Sequence, residues 1–512
     1  MTTSKRKSII IIGGGTAGWI SLAYLVATVD ADITIIHSNE IDIMGVGEST
    51  TPTIKHVADV IGVTEDSWMK AGRATYKYGI EFLNFNQQDS RWFHTFDDLL
   101  PGQTFNRPML EFGKSLFKKN VSSVEYFFQQ QQNNVPGYNI DYFVKSQGGS
   151  EFLLKNALSP TTPQGENTFN RYPGYSYHIN AFEFGNCLKA HTPKEKYTEI
   201  VDTVKDVELD ETGVKSIILK DGTKLSADLY VDCSGFHRLL IKHFTEFKPY
   251  QGLINNAAVW GPVKEQSYRP STLSIAQDNG WIWETPTWGQ TGTGYVYSDD
   301  FINEEQAIEH LTNHWAKQGK KWEPLRSVKF TSGRMENIAC KNVVSNGLGQ
   351  SFIEPLEATA IMVTCVTVKN LSKMFNKHNG WNEKSSRILS QVMSSFLDDT
   401  MLFVEGHYTL SDRDDTEYWR SYNKTNIIER MSAHVEKKLE KEWVHHGETN
   451  LNGYNWASML VGYNKPFVGN IPTITDDEIE NYKFYTRQLI ENYEWIYKNN
   501  MTIKQRLEQI HL

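Results

Sequence analysis

The chain opens with an apolar run. Residues 8–12, SIIII, are β-branched and too apolar for a surface strand, which predicts a short parallel strand buried on both faces. From Thr16 onward the period changes, and Leu22, Leu25 and Val26 fall at helical spacing. Residues 32–37, DITIIH, predict a second strand of the same unit. Residues 204–235 read as strands joined by tight turns at DETG and KDGT, the last strand ending in DCSG. In NGWIWETPTWGQTGTGYVYS the alternation again predicts strands, with Trp281 and Trp283 on one face. Tyr177-His178-Ile179-Asn180 is expected to begin a helix with Asn180 as its cap. Pro355 suits a first helical turn, and the pattern is helical after Ile361. More helices are expected after residues 407–420, and residues 476–511 form a closing amphipathic helix. Residues 91–185, rich in Phe, Tyr, Asn and Gln with dense turn signals, read as an insertion on the substrate side. No internal repeat interrupts this order.

The punctuation between the first strand and the first helix carries chemistry. Gly13, Gly15 and Gly18 supply G-x-G-x-x-G. Gly13 permits the tight turn, Gly15 lets backbone approach a pyrophosphate, and Gly18 lets the helix pack on the strand. The helix N-terminus at Thr16 and Ala17 points at the phosphates. The competing reading is a purely structural turn; position after a clean strand and before an apolar helix favours the nucleotide. Dinucleotide folds place an acidic residue at the end of the second strand to hold the adenosine ribose, and His37 stands there instead. A second Gly-rich stretch, residues 45–52 (GVGESTTP), is either a polar loop ending in a Ser or Thr cap before Pro52, or a loop that touches the cofactor; beside a nucleotide fold the second is favoured.

Composition narrows the classes. At 512 residues the chain can hold two or more packed modules. A net charge of −9 and the lack of a basic run argue against nucleic-acid binding. Four scattered cysteines without a CxxC pair predict a reducing compartment, with no disulfide framework and no cysteine-based zinc site. With no signal-like start and no apolar stretch of about 18 residues, a cytoplasmic protein without a membrane span is expected. Aromatic residues are 12% of the chain, compatible with a dense core or with a pocket for a planar ligand.

Two ionisable residues stand out. Lys77 lies in TYKYGIEFLNF, flanked by aromatic positions; its stem could pack while its amine reaches water, or the amine could be functional. Glu357 follows Pro355 where an acidic side chain suits a positive helix terminus, and the same terminus can hold an anion or a flavin edge.

Taken together, GGGTAGW, GVGEST-x-P, YKYGI, WIWETP, GLGQSFIEPLEAT and HY-x-x-S-x-RDDT-x-YWR resemble, in order and spacing, the flavin-dependent halogenases of the tryptophan halogenase family. The resemblance runs from Ile9 to about Trp419, with weaker traces to Gly462. It implies an α/β fold: a flavin-monooxygenase-like, Rossmann-type FAD module with a mixed sheet over residues 1–400, interrupted by the insertion at 91–185, and a mainly helical part, 401–512, that completes the substrate pocket. It implies reduced FAD, O2 and a halide ion, which together give hypohalous acid. FAD contacts are implied at Gly13, Gly15, Thr16, Ala17 and Gly18, at Gly45, Val46, Gly47, Glu48 and Ser49, and at Val204, Leu348 and Ile361. Lys77 matches the essential lysine, and Glu357, rather than its neighbour Glu354, the glutamate of the P-L-E motif. The backbone at Thr359 and Ala360 matches the halide site. No second G-x-G-x-x-G offers a nicotinamide site, so a separate flavin reductase is implied as partner; the oligomeric state is left open.

The sequence departs from the family at two places. The usual E-S-T-G reads Glu357-Ala358-Thr359-Ala360, and the added methyl near the anion predicts that bromide and iodide serve better than chloride. Trp456 and Ala457 fall about where members acting on free tryptophan carry a tyrosine pair, which predicts another indole, a phenol or a similar electron-rich aromatic. The alternatives are a flavin-dependent aromatic hydroxylase, which would give a halide-independent product, and a non-catalytic FAD-binding homologue.

Overall fold

The isoleucine run forms β1 (Ser8–Ile12), an inner strand of a six-stranded sheet in a computed structural model that describes residues 6–39, 47–96, 123–133, 135–137, 149–165, 174–441, 453–470 and 475–512. Continuing along the chain, α1 is Thr16–Thr28, β2 Asp32–His37, α2 Thr53–Ile61, α3 Ala181–His191, β3 Tyr197–Val201, β4 Leu229–Asp232, β5 Val343–Ser345 and α4 Thr359–Lys377. The sheet runs from the short strand Ala339–Cys340 through β5, β4, β1 and β2 to β3. β1 is parallel to both neighbours, with Ile10 opposite Tyr230 on one side and Thr34 on the other. Ile9 to Ile12 are all buried, and the absence of a polar alternate is explained: a strand covered on both faces gains about 1.5–3 kcal/mol for each large apolar side chain it buries. α1 covers the sheet and packs against α3 and α4.

The chain divides into two compact units. One comprises Met1–Ala74, Ile179–Ala257 and Val328–Leu402, and holds this sheet; the other comprises Thr75–His178, Ala258–Ser327 and Phe403–Leu512. The second unit is built on a seven-stranded sheet in which Gly280–Thr287 lies between Thr272–Gln277 and Gln290–Tyr297. Trp281 and Trp283 share a face of that strand, with ring centroids 6.1 Å apart. Trp283 pairs across to Gly294, where a Cβ would fall 2.0 Å from the indole, so the small residue seats the ring. Trp92, Phe82 and His407 stack in the same unit, and His407 Nδ1 lies 3.0 Å from the Tyr463 hydroxyl.

Local structure departs from the sequence reading at four points. Residues Ser176–Asn180 are a strand, with Tyr177 opposite Tyr76 in antiparallel pairing; the helix begins only at Ala181. Asn180 does cap it, accepting the Glu183 N–H at 3.1 Å. Pro355 opens a separate 3-10 turn, Pro355–Glu357, rather than the helix, because Ala358 adopts a left-handed conformation (φ 57°) that breaks the two apart. Pro52 is itself the cap position of α2, with no side-chain capping bond. The closing helix is two helices, Asp476–Asn499 and Ile503–His511, the second started by a reciprocal Thr502–Gln505 capping box.

Candidate active site

In the first unit a cavity of about 860 Å³ lies beyond the carboxyl ends of β1 and β2, where open α/β sheets bind ligands. Gly13, Gly15, Thr16 and Ala17 form part of its wall. The three motif glycines divide the work as their spacing predicts. Gly13 has φ 122°, and a Cβ there would stand 2.3 Å from the Cys233 carbonyl oxygen. At Gly18, which is buried under the loop, a Cβ would stand 1.9 Å from the Gly13 carbonyl oxygen. At Gly15 a Cβ would meet nothing within 4 Å, because that backbone faces the cavity. Gly18→Ala is therefore expected to cost about 3 kcal/mol of stability through forced displacement of backbone. Gly15→Ala is expected to leave the melting temperature of the apoprotein unchanged and to weaken FAD binding. Thermal melts and a flavin titration of both variants check the pair.

The remaining walls come from distant segments. His37, Ser38 and Asn39 line the cavity at the end of β2, Asp202, Thr203 and Val204 beyond β3, and Cys233 to His237 beyond β4. Burial pushes the Cys233 thiol up to about 12, so it faces the cavity as a neutral group. Glu48 also faces the cavity, and desolvation raises its carboxyl to about 7, so near neutral pH it can carry a proton there. Leu348 and Ile361 also line the cavity. Gly47 and Ser49 lie on the short strand with Glu48 but are not among the described residues that line the cavity, while Gly45 and Val46 fall outside the described residues.

Thr359 and Ala360 open α4 and both line the cavity. Ala358 supplies no side-chain cap, and the first backbone N–H groups of a helix have no intrahelical acceptor. That terminus presents donors and a positive dipole end, a setting for an anion. Glu357 is buried one residue before the break. Glu354, its competitor in the sequence, is fully buried and accepts the Asn255 Nδ2–H at 2.7 Å. Lys77 belongs to the second unit, in the strand Thr75–Lys77. It is fully buried, which overturns the reading in which its amine reaches water. Its Nζ lies 4.8 Å from the centroid of the Phe96 ring. His178, on the paired strand, has its pKa driven well down by burial and then by the Lys77 charge, so the imidazole is neutral and brings no second cation.

Sequence reasoning passed over Phe182, Asn186 and Lys189, which α3 presents to the cavity at i, i+4 and i+7. Phe182 is 46% exposed on a helix whose other face is packed, an exposure that the structure shows and the sequence did not signal. Among the described residues no cluster of His, Cys, Asp and Glu could hold a metal ion, and no helix is long and apolar enough to cross a membrane.

A Gly-rich turn beneath a helix N-terminus, opening on a cavity at the carboxyl edge of a parallel sheet, defines a dinucleotide-binding module. The lining suits FAD: the glycine cradle admits a pyrophosphate, and a volume of about 860 Å³ admits more than a mononucleotide. The family model for tryptophan halogenase matches residues 8–469. The chain is 30% identical over 448 residues to tryptophan 7-halogenase RebH of Lentzea aerocolonigenes, covering 85% of this chain and 82% of that protein. It is 28% identical over 460 residues to tryptophan 7-halogenase KtzQ of Kutzneria sp. (strain 744), with the same two coverages. In fold it is similar to the tryptophan halogenase of Shewanella frigidimarina NCIMB 400, with a TM-score of 0.83 at 24% identity over 99% of this chain and 98% of that one. The chain belongs to the tryptophan halogenase family. It is an FADH2-dependent halogenating oxidoreductase that uses O2 and a halide.

Proposed function

We propose that this halogenase acts on an electron-rich aromatic other than free tryptophan, an indole or a phenol, with Lys77 placing the halogenating agent and Glu357 taking the proton from the substrate ring. Lys77 carries the reading: a fully buried amine among aromatic side chains is costly to keep unless its hydrogen-bonding capacity is used. When bound, reduced FAD with O2 oxidises halide to hypohalous acid. FAD would be held by the turn at Gly13, Gly15, Thr16, Ala17 and Gly18, by the Gly45–Ser49 segment including Glu48, and by Val204, Leu348 and Ile361. The N–H groups of Thr359 and Ala360 would hold the halide. The Lys77 amine donates a hydrogen bond to hypohalous acid, or, as a free amine, exchanges one N–H for N–halogen with release of water. Either way the halogen is held for one ring carbon, an orientation effect worth on the order of 7 kcal/mol at best. Attack by the ring on the halogen breaks its bond to oxygen, the hydroxide leaving as water with a proton from the Lys77 ammonium, or breaks the N–halogen bond of the protonated haloamine to give back the Lys77 amine; either way the ring cation loses its proton to the Glu357 carboxylate.

The substrate class is supported by the segment Gly453–Gly462. Trp456 is buried against Phe403, at 5.1 Å between centroids, and against His434, at 4.0 Å. With Ala457 also buried, neither position 456 nor position 457 supplies a phenolic hydroxyl for an amino-acid headgroup. Reduced flavin comes from a separate reductase, since the sequence has no second dinucleotide fingerprint.

The reading is tested by supplying reduced FAD from a generic reductase and offering indoles, phenols and tryptophan with each halide in turn. Mass spectrometry should show halide-dependent products from indoles or phenols; a gain of one oxygen regardless of halide would make the protein a hydroxylase. Bromide and iodide should outcompete chloride at equal concentration, because Ala360 adds bulk beside the anion and larger halides cost less to desolvate and oxidise. A measured preference for chloride rejects that expectation.

A further inference from the structure

We infer that His37, backed by Glu199, replaces the carboxylate that dinucleotide folds place at the end of the second strand, and that its Nδ1 accepts a hydrogen bond from one hydroxyl of the adenosine ribose. The inference rests on FAD occupying the cavity as proposed above.

His37 ends β2 and lines the cavity beside Ser38 and Asn39. An acidic residue there serves as acceptor for a ribose hydroxyl. A neutral imidazole offers one acceptor nitrogen and can do the same work, provided the other nitrogen holds the hydrogen. The surroundings of His37 set that tautomer. Its Nε2 lies 2.8 Å from Glu199 Oε1 on the adjacent strand β3. Burial pushes the Glu199 carboxyl up, but hydrogen bonds from Lys189, Lys194 and His37 outweigh it and hold the group at about 2. An ionised carboxylate only accepts, so Nε2 is the donor and, in the neutral ring, Nδ1 is left as acceptor. Among the described residues none hydrogen-bonds to Nδ1. The ring is wedged against Trp19, with centroids 5.3 Å apart and planes at 63°, and it meets the Gly-rich turn on its Nδ1 edge. A Cβ on Gly14 would lie 2.7 Å from His37 Cβ and 3.3 Å from Nδ1. The Nδ1 edge therefore lies against Gly14, and both residues line the cavity.

Asp202 is another acceptor at this end of the cavity. Its N–H donates to the His37 carbonyl oxygen at 3.0 Å. Its carboxylate is engaged by backbone, accepting the Thr203 N–H at 2.6 Å and, from the turn after Leu219, the Asp221 N–H at 3.4 Å. Thr203 in turn donates its hydroxyl to Ser38 Oγ at 3.0 Å. These bonds close the two strand ends together and leave the imidazole nitrogen as an acceptor with no hydrogen-bond partner among the described residues.

The test is a set of dissociation constants read by flavin fluorescence, with no turnover required. The ligands are FAD and two analogues that lack the 2′- or the 3′-hydroxyl of the adenosine ribose. The proteins are wild type, His37→Ala, His37→Asn and Asp202→Asn. The wild-type constant for FAD tests occupancy of the cavity by itself. His37→Ala should weaken FAD about tenfold, the scale of one hydrogen bond. One of the two analogues should bind wild type and His37→Ala alike, because the bond is already absent. His37→Asn, which keeps an acceptor near the Nδ1 position, should recover part of the loss. Equal weakening of FAD and both analogues by His37→Ala would show that the ring acts only through packing. Hydroxyl dependence that disappears in Asp202→Asn but persists in His37→Ala would move the contact to the aspartate. Either result overturns the assignment.

Discussion

Lys77→Ala is expected to remove halogenation, a loss of at least about 10³-fold if positioning of the halogen supplies several kcal/mol of the barrier reduction, while FAD affinity stays as in wild type. The two readouts separate because Lys77 belongs to the second unit and the described cavity wall to the first. The amine is fully buried, Phe96 lies against it, and His178 is kept neutral beside it. Nothing in that setting resembles a surface lysine whose stem alone is packed. Halide-dependent product mass and flavin fluorescence, measured on the same preparation, decide the matter. Near-normal halogenation by the variant would assign the halogen to another group, and a parallel fall in FAD affinity would make Lys77 a structural residue.

Glu357→Gln is expected to lower turnover about 10²-fold, the usual scale for loss of a general base. Glutamine keeps the volume and the hydrogen-bonding shape of the side chain and removes its capacity to accept a proton as an anion. The 3-10 turn and the left-handed Ala358 fix the position from the backbone, so the variant should melt with wild type. Glu354→Gln serves as the contrast. That carboxylate is engaged by Asn255, so the change should appear chiefly in stability. A rate effect larger for Glu354→Gln than for Glu357→Gln would reverse the assignment of the base.

What the sequence could and could not reveal follows from the range of the interactions. β1, its turn and α1 were legible because one short stretch contains the whole cause: a β-branched run, three glycines each with a separate steric duty, and an apolar helix. The pairing of β1 with β4 was not, since nothing local to Ile9 specifies Leu229. Residues 176–180 read as a helix start because a good cap stands at Asn180, whereas their extended form depends on a partner strand about a hundred residues earlier. Pro355 misled for a related reason. The break after Glu357 is made by a non-glycine residue at positive φ, which leaves no mark in composition. At the site, the motif matches singled out Lys77 and Glu357, and the structure buries both, yet burial of the amine itself could not be read from alternation. Phe182, Asn186 and Lys189 were missed because helical periodicity tells which face is covered and is silent on what an open face confronts.

The same long-range pairing has a consequence for the making of the protein. β1, among the most apolar stretches of the chain, acquires β2 as a neighbour within about two dozen residues, but its other edge is completed by β4, whose first residue is Leu229. At synthesis rates of about 5–20 residues per second, that edge of unpaired isoleucine backbone waits on the order of 10–40 s. Until then it is a template for any other extended strand. Yield of the intact enzyme should therefore be limited less by its final stability than by what shields that edge while the ribosome is still at work.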